Sequence, residues 1–155
     1  MGDWRRSTRE CSFDNLQSEM NAAVNQHIEI YNLGGILSEA IMCIETSSDK
    51  IKKGIFGGGD KAVITGAILT PRWLIWAIRG DRSGVVVMSA RLADVVVQDY
   101  AATQFAKMVP DEGLEISGSF TDVADTGSAF IGLDTGAAAQ KFKEAVIRAA
   151  QDVKK

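Results

Sequence analysis

A chain of 155 residues with 46% apolar and 24% charged side chains has the size and balance of one globular domain. Seventeen basic against twenty acidic side chains leave a net charge of −3, which lacks the basic excess that a nucleic-acid partner selects. The opening Met1-Gly-Asp-Trp-Arg-Arg-Ser-Thr-Arg-Glu10 is polar, and no run of about 18 apolar residues follows. The chain is therefore expected to be cytoplasmic, with no signal peptide and no spanning helix.

Residues 1–11 are expected to form a flexible N-terminus, because they are charged and have no apolar core. Ser12 can cap an amphipathic helix over residues 12–33. Phe13, Leu16, Met20, Ala23, Val24, His27, Ile28 and Tyr31 recur there at three- and four-residue spacing and make one apolar stripe. Gly34-Gly35 ends the helix. The stripe suits either the domain's own sheet or the same helix of a second subunit.

From Ala40 the pattern changes to short extended runs: 40–46, 62–69, 73–78, 85–89, 94–99, 113–121 and 128–133. Leu114, Ile116 and Phe120 alternate with Glu115, Ser117 and Ser119, the clearest period of two in the chain. At Thr70-Pro71-Arg72 proline fixes its own φ and disfavours helix before it, so a tight turn joins two strands. Trp73 and Trp76, three positions apart on a strand, should face opposite sides of the sheet. Residues 100–112 make a long connection with room for a short helix. A final helix begins after Asp134 or Thr135 as cap, with Ala138, Phe142, Ala145, Val146, Ala149 and Val153 as its buried stripe.

Seven antiparallel strands and a closing helix over residues 38–155 resemble the small bacterial pleckstrin-homology-like (PH-like) and GRAM-like domains. Ile68-Leu-Thr-Pro-Arg-Trp-Leu-Ile75 is similar to their strand–turn–strand signature, and Ala129-Phe-Ile-Gly-Leu-Asp134 to their last strand. Pro71 and Trp73 depart from that signature, which usually has Asp or Asn and a second basic residue in the turn. The resemblance implies an α+β fold: a PH-like antiparallel barrel or sandwich of about seven strands, a C-terminal capping helix, and an extra N-terminal helix. It also implies a binding or assembly platform.

Lys50, Lys52, Lys53 and Lys61 gather around the first hairpin of such a domain, where basic side chains and glycine amides would meet phosphate groups. A solvated, edge-protecting loop explains the same lysines. Gly57-Gly-Gly-Asp-Lys61 leads into a strand, whereas a nucleotide-binding loop must open a helix. Asp-Thr-Gly occurs at 125–127 and 134–136, the tripeptide of aspartic proteases. That chemistry needs two carboxylates sharing a proton, from two symmetric lobes or two subunits; two copies nine positions apart are not two lobes, and a turn and a helix cap explain both. His27 is the only histidine and lies on an apolar stripe, which leaves no triad. Cys11 and Cys43 form no disulfide framework and no zinc pattern; Cys43 reads as a core residue.

The expectation is a non-enzymatic interaction or assembly module that self-associates, with Phe13, Leu16, Met20, Val24, His27 and Tyr31 as its interface. It needs no cofactor or metal, and its partner is a protein or a second copy rather than a nucleic acid. The alternative is an anionic membrane surface or phosphate ligand held by Lys50, Lys52, Lys53 and Lys61. An aspartic-protease-like enzyme using Asp134 comes last.

Overall fold

The computed structural model describes residues 4–51, 60–121 and 123–155. Eight strands and three α-helices follow in the order β1 (Trp4–Glu10), α1 (Ser18–Ile30), β2 (Met42–Lys50), β3 (Ala62–Leu69), β4 (Trp73–Gly80), β5 (Val85–Arg91), β6 (Val95–Asp99), α2 (Phe105–Met108), β7 (Gly113–Ser119), β8 (Thr126–Gly132) and α3 (Ala137–Asp152). The fold is α+β, with an antiparallel sheet of order β1-β2-β3-β4-β5 and a second of order β6-β7-β8. All seven expected strands are present, within a few residues of their expected ends.

The larger sheet is the middle layer. Met42, Ile44, Ala67, Leu69, Leu74 and Trp76 face the smaller sheet and α3, where they meet Leu114, Ile116, Ile131, Phe142 and Val146. Cys43, Ile68, Ile75 and Ala77 point the other way and meet Leu16, Met20 and Val24. Both faces are covered, so β3 and β4 read as continuous apolar runs where they cross the core. Trp73 and Trp76 separate as expected, Trp76 into the first cluster and Trp73 onto the second.

Three expectations are corrected. Residues 4–10 are not a flexible lead-in: they form β1, in register with β2 from Trp4↔Lys50 to Glu10↔Ile44. This edge strand is held by polar contacts (Thr8 Oγ1 lies 2.8 Å from Thr46 Oγ1), which apolar periodicity does not register. The helix expected over 12–33 is shorter: Ser12 precedes only a 3-10 turn, Phe13–Asn15, with no side-chain cap bond to it, and α1 starts at Ser18.

The barrel does not close either. After β5 the chain turns through Leu92–Asp94, Leu92 goes into the core, and β6 pairs with β7 instead of β5. Gly118 permits that close approach: its φ of 140° suits glycine, and a Cβ there would run into the Asp94 carbonyl.

Candidate functional site

Asp134, the one candidate catalytic carboxylate, is occupied by the backbone. Its Oδ2 accepts from the Thr8 amide at 2.8 Å and its Oδ1 from the Gly136 amide at 2.8 Å. The Asp134 amide in turn donates to Thr8 Oγ1 at 3.0 Å. It turns the chain into α3 without capping it by side chain, since the cap position is Gly136. Both carboxylate oxygens are thus spent on fixing β1 to the start of the last helix.

Two of the four expected lysines are described, and they are neighbours: the Lys50 amide donates to the Lys61 carbonyl at 2.8 Å, where β2 meets β3. Lys50 Nζ lies 5.9 Å from the centroid of the Trp4 ring, whose other neighbour is Arg6 at 5.8 Å. Lys52 and Lys53 lie outside the described residues. Lys61 is flanked by carboxylates: its amide donates to Asp81 Oδ1 at 3.0 Å, and Asp60 precedes it in the chain. Asp60 accepts from the Ser83 hydroxyl and the Arg82 amide, both at 2.7 Å, and these bonds, the hydroxyl's first, hold its pKa below the ordinary value. The β2–β3 and β4–β5 connections are therefore laced together by acidic side chains, which dilutes the basic character expected there.

The expected interface stripe is inside the molecule. Leu16, Met20, Val24 and His27 are buried under the larger sheet's outer face, Phe13 is half-buried, and only Tyr31 is exposed. These residues hold α1 to its own domain and leave little for a second subunit. His27 Nε2 lies 2.8 Å from Ser89 Oγ, which donates to Thr121 Oγ1 at 2.7 Å, so the imidazole takes the donor role toward Ser89. The Tyr31 ring sits 4.7 Å from the imidazole. This chain of polar groups links α1, β5 and Thr121, two residues past the end of β7, and gives His27 a structural role.

The described residues line two open clefts of about 570 Å³ each, among others. One is lined by Trp4, Arg5, Arg6, Asp111, Glu112, Asp134 and neighbours, with charges of both signs. Arg6 there is committed to an ion pair with Asp111, and its Nε donates to Ser48 Oγ at 3.2 Å. The other is lined by Arg72, Trp73, Arg91, Ala93 and Val153, and its charged side chains are both cationic. Thr70 Oγ1 accepts from the Arg72 and Trp73 amides at 3.2 and 2.9 Å, which shapes the Pro71 turn. The Trp73↔Arg91 register sets the Arg91 guanidinium 5.5 Å from the Trp73 ring centroid. Neither arginine makes an ion pair among the described residues.

One exposed feature stands apart. On α2 and the residue after it, Phe105, Met108 and Val109 are 66%, 82% and 63% exposed. The turn beneath them is tied down, since Tyr100 Oη donates to the Val109 carbonyl at 2.7 Å and the Val109 amide donates to Phe105 O at 2.8 Å. Three large apolar side chains at i, i+3 and i+4 therefore project together from one fixed turn. The sequence places a short helix here, but which of its side chains face solvent is a tertiary fact that no local pattern encodes.

Among the described residues no three His, Cys, Asp or Glu side chains gather where they could hold a metal ion. No helix of the described residues is long and apolar enough to cross a membrane. No protein-family model matches the chain, no curated protein matches it, and no solved structure matches its fold.

Proposed function

We propose that this chain is a non-enzymatic, PH-like interaction module that self-associates through the α2 turn. The observation that carries the reading is the projecting set Phe105, Met108 and Val109, held out by a fixed backbone rather than folded onto the core. Exposed apolar sets of this kind lose contact with water when two surfaces meet, and aromatic and Met side chains anchor such contacts. The β2–β5 and β6–β8 strands followed by α3 support the PH-like reading: four strands, three strands, then a closing helix. Self-association moves from the α1 stripe to α2 because the stripe is buried. Light scattering across a wide concentration range tests this reading. An oligomer of defined mass supports it, and a monomer at every concentration removes it.

A second reading is recognition of an anionic group, favoured by the Arg72–Trp73–Arg91 cleft. Two guanidinium groups that make no ion pair among the described residues, beside an aromatic face, suit a phosphate. It predicts salt-sensitive binding to vesicles rich in anionic lipid, weakened about tenfold or more by Arg72→Ala with Arg91→Ala. Equal binding by Lys50→Glu with Lys61→Glu would place the site at the arginines and not at the hairpin.

A further inference from the structure

The chain has two cysteines, and the fold brings them together. Cys11 follows the last residue of β1 and Cys43 lies on β2, 32 positions away, yet their sulfurs are 3.7 Å apart as free thiols. The β1–β2 register reaches Glu10↔Ile44, and the Cys11 amide donates to the Cys43 carbonyl at 2.9 Å, which carries the pairing one step further. Directly opposed residues of an antiparallel pair have Cα atoms about 4.5–5.5 Å apart, inside the span a disulfide bridges. The two sulfurs need to close by less than 2 Å, roughly, to reach bonding distance.

Accessibility divides the roles. Cys11 is half-buried and can meet a reagent from solution, whereas Cys43 is buried against Ile68, Ile75 and α1. We propose that Cys11 and Cys43 are a redox modification site that forms an intrachain disulfide by exchange with a small-molecule disulfide such as oxidised glutathione. The Cys11 thiolate attacks the glutathione disulfide and releases one glutathione thiolate, leaving a mixed disulfide on Cys11. The Cys43 thiolate then attacks the Cys11 sulfur and expels the second glutathione. Two thiol protons pass to the two departing glutathiones, so the protein is oxidised by two electrons and the glutathione disulfide is reduced. The bond closes a loop that contains the whole of α1, and so clamps the helix layer and β1 to the sheet.

The test is to equilibrate the full chain in glutathione buffers of graded ratio, quench with acid, alkylate, and weigh the products. The expected product is lighter by two hydrogens, resists alkylation at both cysteines, and yields a Cys11–Cys43 peptide in a non-reducing digest. Its melting temperature rises by several degrees. In concentrated urea the ratio needed for half-oxidation should rise by about 100-fold, because folding and the bond favour each other by the same factor. Cys43→Ala should stop at the mixed disulfide on Cys11, while Cys11→Ser should leave Cys43 unmodified. A native wild-type chain that stays at the mixed disulfide, that needs the same ratio with and without urea, or that crosslinks between chains would overturn the proposal.

Discussion

Thr8 and Asp134 stand 126 positions apart and hold each other by two reciprocal hydrogen bonds, each amide donating to the other's side chain at 2.8 and 3.0 Å. The first strand and the start of the last helix are thereby one structural unit. Asp134→Ala leaves the Thr8 and Gly136 amides without their acceptor. It should cost about 1–3 kcal/mol of stability, read from urea unfolding, chiefly because the partly buried Thr8 amide loses its partner. Asp134→Asn keeps one acceptor oxygen and should cost less. A neutral Asp134→Ala would mean that the carboxylate is not part of the fold.

The buried stripe of α1 makes a different prediction. Met20 is 0% exposed and its Cε lies close to Gly66, on the sheet beneath. Met20→Ala should destabilise the monomer fold by about 2–5 kcal/mol through the cavity it leaves, measured by thermal or urea unfolding. The mass of the folded species should stay the same. A drop in oligomer mass with unchanged stability would return α1 to the surface.

Ser89 sits between His27 and Thr121 in a buried run of hydrogen bonds. Ser89→Ala removes the hydroxyl from both neighbours, so a cost of about 1–3 kcal/mol is expected. Ser89→Thr keeps the hydroxyl, but its added methyl has to fit a site with no exposure, so it should recover only part of the loss. Unfolding of the two variants side by side checks the ordering.

Burial, with Cys11 and Glu45 as further contributors, pushes the Cys43 thiol well above its ordinary value of 9.0, and Arg9 opposes the shift weakly. Cys11 is also raised, mainly by burial. A folded-state pKa above the unfolded one means that the native chain holds these protons longer than the unfolded chain does. The stability they contribute is complete at pH values well below the ordinary thiol value of 9.0 and declines as pH rises through and beyond it. Unfolding free energy followed from pH 7 to 11 should fall more steeply in the reduced wild type than in Cys43→Ala. Parallel curves would contradict the burial of this thiol.

Much of the fold was legible because apolar period and turn chemistry are local. The strands of 113–121 and 62–78, and the apolar face of α3 at Phe142 and Val146, were read from such signals and are present. Strand β1 was not legible: Trp-Arg-Arg-Ser-Thr-Arg-Glu carries no apolar alternation, and its pairing depends on Thr8, Arg6 and partners over 30 residues away. That one missed strand hid the rest of the site chemistry. The Cys11–Cys43 approach depends on the β1 register, and the role of Asp134 depends on Thr8 being beside it. The stripe of α1 was visible, but whether a sheet or a second subunit covers it is a tertiary fact. The Arg72–Arg91 cleft likewise needs the Trp73↔Arg91 register, which no local pattern encodes.

The most direct measurement is the solution mass of Phe105→Asp with Met108→Asp beside the wild type, by light scattering, with a thermal melt of each as the fold control. Both side chains are largely exposed, so the melts should agree within a few degrees. The account predicts an oligomeric wild type and a monomeric variant. A wild type that is monomeric throughout, or a variant that keeps the wild-type mass, would contradict it.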